Sequence, residues 1–354
     1  MNPFKFGTIV GNEFFTDRVA ELEEVKQMLD SENHLVIISP RRFGKSSLIA
    51  KALLQLQRPS ITIDLMKVLS VEDFASQILR SIFKIYKMEK LKHIMSNFRI
   101  TPNISYNPMN DSWSVNFPVS TNQHDILLED AMGLLEKVSS SDNKLIIVLD
   151  EFQEINEIDK NLAKQLRAIM QRQQGLNYVF MGSQESMMNE IFEKKKSPFY
   201  HFGQRMNLKK IPHEDFMRYI MERIPDGEYS KEDVTSEILA FTRVHPYYTQ
   251  QLASCVYNLI VYSNMSENIV VNAIKKQVEE HDLDYERLWL SMKRTDRKVL
   301  SMLANGVSPV SDRATPASTI FSSLQRLVKN GYVIRLSSYE LEDPFFGEWI
   351  RRSL

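Results

Sequence analysis

One stretch of nine residues, Ser39-Pro40-Arg41-Arg42-Phe43-Gly44-Lys45-Ser46-Ser47, constrains this chain more than any other feature. The apolar run Leu35-Val36-Ile37-Ile38 precedes it, and the helical pattern Leu48-Ile49-Ala50-Lys51-Ala52-Leu53-Leu54 follows. A buried strand, a tight loop with Gly-Lys-Ser and then a helix is the arrangement of a phosphate-binding loop. Loop amides and the positive helix N-terminus surround a phosphate, Lys45 adds charge, and the Ser46 hydroxyl can ligate Mg2+. The usual pattern opens with glycine where this chain has Ser39. Serine is the next smallest choice at that strand-to-loop junction.

The second anchor is Lys144-Leu145-Ile146-Ile147-Val148-Leu149-Asp150-Glu151-Phe152-Gln153-Glu154. Five apolar residues running into Asp-Glu predict a central parallel strand with two carboxylates at its C-terminal end, where open α/β sheets bind ligands. Downstream of a phosphate loop, Asp150 would orient Mg2+ and Glu151 would polarise an attacking water. Tyr178-Val179-Phe180-Met181-Gly182-Ser183-Gln184 reads as another buried strand. If it lies between the two anchor strands, Ser183 and Gln184 are candidates to sense the terminal phosphate; the alternative is a plain polar turn.

Strands alternate with helices here, with Ile61-Thr62-Ile63-Asp64-Leu65 as a further strand. That rhythm predicts an α/β domain with a parallel sheet and helices on both faces. Asp17 is expected to cap a helix whose inner face carries Val19, Leu22, Val25 and Leu29. Residues 101–120 break the rhythm and predict an inserted hairpin around Asn107-Pro108-Met109-Asn110-Asp111. Its apolar side either covers the core or meets a partner. Lys194-Lys195-Lys196 reads as a solvated loop, and Arg205 as a residue able to reach phosphate or a neighbouring subunit.

From residue 211 the pattern turns helical, with Pro246 near the start of a new helix after His245. The last segment reads as helix, helix and hairpin, a winged helix-turn-helix. Ser318, Ser322, Gln325, Arg326 and Lys329 are expected on the exposed face of its second helix. From Ser291 to Leu354 there are ten Lys/Arg against six Asp/Glu, a local basic bias. Such a face can read DNA bases or serve as a packing module.

Composition narrows the remaining classes. The 354 residues suffice for two or three domains. A net charge of −1 excludes a wholesale polyanion binder. The single cysteine, Cys255, makes neither an intramolecular disulfide nor a zinc site and fits a reducing compartment. The opening residues lack a signal-peptide core, and apolar runs such as Leu145 to Leu149 are too short to cross a bilayer. A cytoplasmic protein without membrane attachment is expected.

Taken together, the motifs resemble a family. Phe15-Thr16-Asp17-Arg18-Val19-Ala20-Glu21-Leu22 resembles the h-x-G-R-E-x-E-L motif of the signal-transducing (STAND) branch of AAA+-like ATPases. Residues 39–46 resemble the G-P-R-R-x-G-K-[ST] loop of the archaeal-type ATPases, a group also found in bacteria. Leu149-Asp150-Glu151-Phe152-Gln153 resembles that group's Walker B segment. His245-Pro246-Tyr247 resembles its lid motif, and Leu341-Glu342-Asp343-Pro344-Phe345-Phe346-Gly347-Glu348-Trp349 its winged-helix ending. Ser39, Asp17 and Val19 depart from the family pattern, which has Gly, Gly and Glu there.

The resemblance implies an AAA+-like core at 1–207 with the hairpin inserted, a helical lid at 208–287 and a winged helix at 288–354. It implies ATP or ADP with Mg2+ as cofactors. Pro40, Arg41, Arg42, Phe43, Gly44, Lys45, Ser46 and Ser47 would bind phosphates, with Val10, Phe15, His245 and Pro246 around the rest of the nucleotide. Ser46 and Asp150 would hold the metal, and Glu151, Lys45, Ser183 and Arg205 would act in catalysis. The expected activity is slow ATP hydrolysis as a conformational switch, with an unidentified protein partner. A DNA-binding regulator that uses nucleotide as a sensed ligand, and a non-hydrolysing scaffold acting through the hairpin, are the rival readings.

Overall fold

Apolar runs become parallel strands here, and the amphipathic segments between them become their covering helices. The computed structural model describes residues 1–9, 11, 14–15, 18–31, 33–117, 124–140 and 143–353, which form two compact units. One unit holds residues 19–39 and 48–208; the other holds 1–18, 40–47 and 209–354. Val10 and Asp17 lie outside the described residues.

In the first unit, α1 (Val19–Asp30) leads through β1 (Leu35–Ile38), α2 (Lys45–Leu56, in this unit from Leu48 on) and β2 (Ser60–Asp64) to α3 (Val71–Ile85) and α4 (Met88–Met95). The hairpin β3 (Asn103–Asn107) and β4 (Ser112–Asn116) precedes α5 (His124–Val138), β5 (Leu145–Asp150), α6 (Ile155–Ile158) and α7 (Leu162–Met170). The unit closes with β6 (Leu176–Gly182), α8 (Glu185–Phe192) and β7 (Gln204–Asn207). Five strands pair in the order β2-β5-β6-β1-β7, all parallel. β1, β5 and β6 are buried almost throughout, which explains their unbroken apolar runs. Because the strands are parallel, Ile38, Asp150 and Gly182 all end at one edge of the sheet.

Two expectations meet the structure differently. Val19 is 65% exposed, whereas Leu22, Val25, Met28 and Leu29 are buried; as the first helical residue, Val19 overhangs the surface that the next turn covers. The hairpin behaves as a cover. Val115 is buried, Ile104, Trp113 and Phe117 pack on the core, and the Trp113 ring lies 5.3 Å from Phe83.

The second unit is mostly helical. It comprises α9 (His213–Met221), α10 (Lys231–Thr242), α11 (Pro246–Ser263), α12 (Ile269–Glu280), α13 (Asp282–Ser291) and α14 (Arg294–Ala304). Then come α15 (Ala317–Lys329), the antiparallel pair β8 (Val333–Arg335) and β9 (Tyr339–Leu341), and α16 (Pro344–Ser353). Pro246 occupies the first position of α11, where its missing N–H costs nothing. Cys255 is buried within that helix. Asp343 starts α16 by accepting from the N–H groups of Phe345 and Phe346 at 2.8 and 3.2 Å.

Arg326 lies on the expected face of α15 with its side chain 35% exposed, but it is engaged by an acid. Its Nε donates to Asp296 Oδ2 at 2.9 Å, and Ser323 Oγ donates to the same carboxylate. Asp296 and Ser323 are buried, so the partly exposed guanidinium caps and neutralises a buried acid. Ser318, Ser322, Gln325 and Lys329 are exposed on α15 as expected.

Candidate functional site

The loop after β1 is built by two left-handed residues, Arg42 (φ 64°) and Gly44 (φ 89°). Alternating backbone hands turn successive amides toward one side, the concavity that binds anions. Ser39 is not among the residues with positive φ, so serine in place of glycine brings no backbone strain. Its N–H lies 3.4 Å from Gly182 O. Arg18 Nη2 donates to Phe43 O and to Lys209 O, both at 3.0 Å, and so anchors the loop. Lys45 is buried and its Nζ donates to Pro40 O at 3.3 Å; Ser46 is half-buried and Ser47 buried.

Around the loop, the second unit gathers groups distant in sequence. Arg42 Nη1 donates to Tyr248 Oη at 2.6 Å, and Tyr248 Oη donates to Glu342 Oε2 at 2.6 Å. Arg42 also stands 3.8 Å from Glu342 and over the Tyr247 ring at 4.6 Å. Burial pushes the Glu342 carboxyl up to about 7, against the pull of Tyr248 and Arg42. Phe43 meets the His245 ring edge-on at 5.1 Å. Burial, with Lys210 and Arg42 nearby, pushes His245 down to about 3, so its imidazole is neutral. Neither of its ring nitrogens has a hydrogen-bond partner among the described residues. A cavity of about 290 Å³ lies beside it, lined in part by Lys210, Arg243, Glu340, Glu342 and Arg351. Pro246 is buried, and Phe15 is half-buried next to Phe14, whose carbonyl accepts from Tyr219 Oη at 3.3 Å.

The first unit assembles the acids. Asp150 ends β5 in register with Asp64 of β2. Its Oδ1 accepts from the N–H of Glu151 at 2.9 Å. Glu151 is left-handed (φ 50°), and its Oε2 accepts from Gln153 Nε2 at 2.5 Å and Ser183 Oγ at 2.7 Å. Ser183, just past β6, is therefore joined directly to Glu151. Arg205 is engaged on β7: it pairs with Glu193, lies 3.9 Å from Glu185 and donates to Asn207 Oδ1 at 2.9 Å. Sequence reasoning assigned no role to Asp64 or Gln153. The strand ending Ile61-Thr62-Ile63-Asp64 carried a signal for the first; Gln153 stood in the Walker B-like segment, with nothing local to show that its amide meets Glu151.

Each unit by itself carries donors of the kind that a magnesium nucleotide takes. Amides, a lysine and a hydroxyl on the loop match phosphate oxygens, and Mg2+ is commonly held by one or two carboxylates together with phosphates and water. A phosphate loop after β1, acids after β5 and an intervening β6 define a P-loop ATPase. The chain belongs to the family described as the ATPase domain predominantly from Archaea, whose model matches residues 15–252. No curated protein matches it.

Solved structures share the fold. The Walker-type ATPase PABY2304 of Pyrococcus abyssi superposes with a TM-score of 0.64 at 17% identity, over 99% of each chain. The Aeropyrum pernix ORC2 protein, solved in ADPNP–ADP complexes, gives 0.58 at 12% identity over 99% of this chain and 98% of that one. The Aeropyrum pernix ORC1 protein in complex with DNA gives 0.52 at 12% identity, over 96% and 95%. Among the described residues, no helix is long and apolar enough to cross a membrane.

Proposed function

We propose that this protein binds ATP and hydrolyses it slowly with Mg2+, using the nucleotide as a conformational switch. The observation that carries the reading is the strand order β5-β6-β1, which ends the acid strand and the loop strand at one sheet edge. Lys45 and the loop amides hold the phosphates and meet the charge that builds on them during transfer. Ser46 and Asp150 are the metal ligands. Glu151 orients the attacking water, and Ser183 links that carboxylate to the end of β6. Bound Mg2+ would neutralise phosphate charge. His245 and Pro246 border the nucleotide, and residues 288–354 act as a winged helix after a lid at 208–287.

The switch reading draws on the bonds from Arg42 to Tyr248 and on to Glu342. They give the phosphate loop a covalently remote partner whose hold can differ between ADP and ATP. Hydrogen exchange over residues 209–354 tests it. Greater protection with ADP than with a non-hydrolysable ATP analogue is the expected result; equal protection would overturn the switch.

A DNA-binding regulator is the second reading, favoured by exposed Ser318, Ser322, Gln325 and Lys329 on α15. Duplex affinity that falls steeply with salt would support it. Its absence at low salt would exclude it.

A further inference from the structure

Glu151 is held in an uncommon way. It takes φ 50° and ψ 47° directly after the last residue of β5, a left-handed conformation that a side chain disfavours. Both hydrogen bonds to its carboxylate fall on one oxygen, Oε2, from Gln153 and Ser183.

Gln153 is fully buried. Its Nε2 faces Glu151, while its Oε1 is buried without a hydrogen-bond partner among the described residues. The reverse amide orientation would set a carbonyl oxygen against a carboxylate, two acceptors with no proton between them. Packing alone would favour an apolar side chain here, because an amide with one end unmatched is unfavourable in a core. The fold also makes room for it. A Cβ on Gly182 would lie 2.8 Å from Gln153 Oε1 and 2.3 Å from Met188 Sδ. Gln153 and Ser183 thus hold one carboxylate oxygen, and the missing side chain of Gly182 leaves room for the far end of the Gln153 amide.

We propose that Gln153 is a positioning residue for Glu151, fixing Oε2 so that Oε1 is the oxygen presented to water. Ser183 completes the hold conditionally. A hydroxyl has a single proton to donate, so a phosphate oxygen that takes it leaves Glu151 on Gln153 alone. This inference rests on the hydrolysis reading above.

The test compares wild type, Gln153→Met, Glu151→Gln and the double variant for ATP affinity, single-turnover hydrolysis and thermal unfolding. Methionine keeps the volume and removes both the donor and the unmatched oxygen. Gln153→Met should bind ATP within about 3-fold of wild type and melt no lower, yet hydrolyse about 10- to 100-fold more slowly, as misplacement of a catalytic group does. In the Glu151→Gln background the same change should have no further effect. Gln153→Ala serves as a second variant with the same expected split between binding and turnover. Undiminished hydrolysis in Gln153→Met or Gln153→Ala would overturn the proposal, as would an equal slowing in the Glu151→Gln background. A wild type that hydrolyses no ATP would overturn the hydrolysis reading together with the proposal.

Discussion

Arg42 of the phosphate loop and Glu342 at the end of β9 meet on one hydroxyl, that of Tyr248, which accepts from the first and donates to the second at 2.6 Å each. Arg42 lies in the loop, Tyr248 in the first turns of α11 and Glu342 next to the cap of α16. Tyr248→Phe removes both bonds while keeping the ring. It should cost about 1–3 kcal/mol, because a buried carboxylate loses its donor. A double-mutant cycle of Arg42→Ala with Glu342→Gln should give a coupling of about 0.5–3 kcal/mol. Additive variants in denaturant melts would contradict the link.

The same carboxylate gives stability a pH dependence of known sign. Burial raises Glu342 from 4.5 to about 7. A group raised in the folded state contributes stability that is full below about 4.5 and lost as pH rises through about 7. His245 works oppositely. Held down from 6.5 to about 3 by burial and then by Lys210 and Arg42, it contributes stability that is full above about 6.5 and lost as pH falls toward 3. Between about pH 4.5 and 6.5 the two slopes oppose each other, so wild-type urea midpoints vary little there and the single variants expose each limb, neither steeper than about 1.4 kcal/mol per pH unit. Glu342→Gln should flatten the alkaline limb and His245→Asn the acidic one. Unchanged slopes would contradict the assignment.

Gly182 tests how tightly the acid site is packed. An added methyl would collide with Met188 and the Gln153 amide. Gly182→Ala should destabilise by about 1–3 kcal/mol through overpacking. A melt unchanged from wild type would show that the neighbours yield freely.

On α15, Arg326 should act through Asp296 and not through nucleic acid. Arg326→Ala should lower stability by about 1–3 kcal/mol, less than a fully buried pair would because the guanidinium remains partly exposed. Lys329→Ala should leave stability within about 0.5 kcal/mol. Thermal melts of the two variants separate these outcomes.

What was legible in the sequence was local and contiguous. Leu35 to Ser47 and Leu145 to Glu151 each carry strand, turn and chemistry within a dozen residues, so their order along the chain gave the sheet and its acids. Long-range pairings left no trace: Arg42 and Glu342 each stood in a motif of its own, 300 positions apart, and nothing in either motif pointed to the other. Gln153 was visible only as the end of the Walker B-like segment, since its contact with Glu151 depends on a left-handed turn that no local pattern shows. The role of Arg326 was hidden because a helical pattern shows a side chain's direction but not the buried Asp296 that it meets. α16 was read only as a motif, its aromatic run and leading Pro344 masking a helix capped by Asp343.

The most direct measurement is ATP turnover with Mg2+ by purified wild type beside Lys45→Ala and Glu151→Gln. Slow hydrolysis by wild type, loss of nucleotide binding in Lys45→Ala, and ATP retained and cleaved about 100-fold or more slowly in Glu151→Gln are expected. A wild type that binds no nucleotide, or one whose turnover survives Glu151→Gln unchanged, would contradict the proposed function.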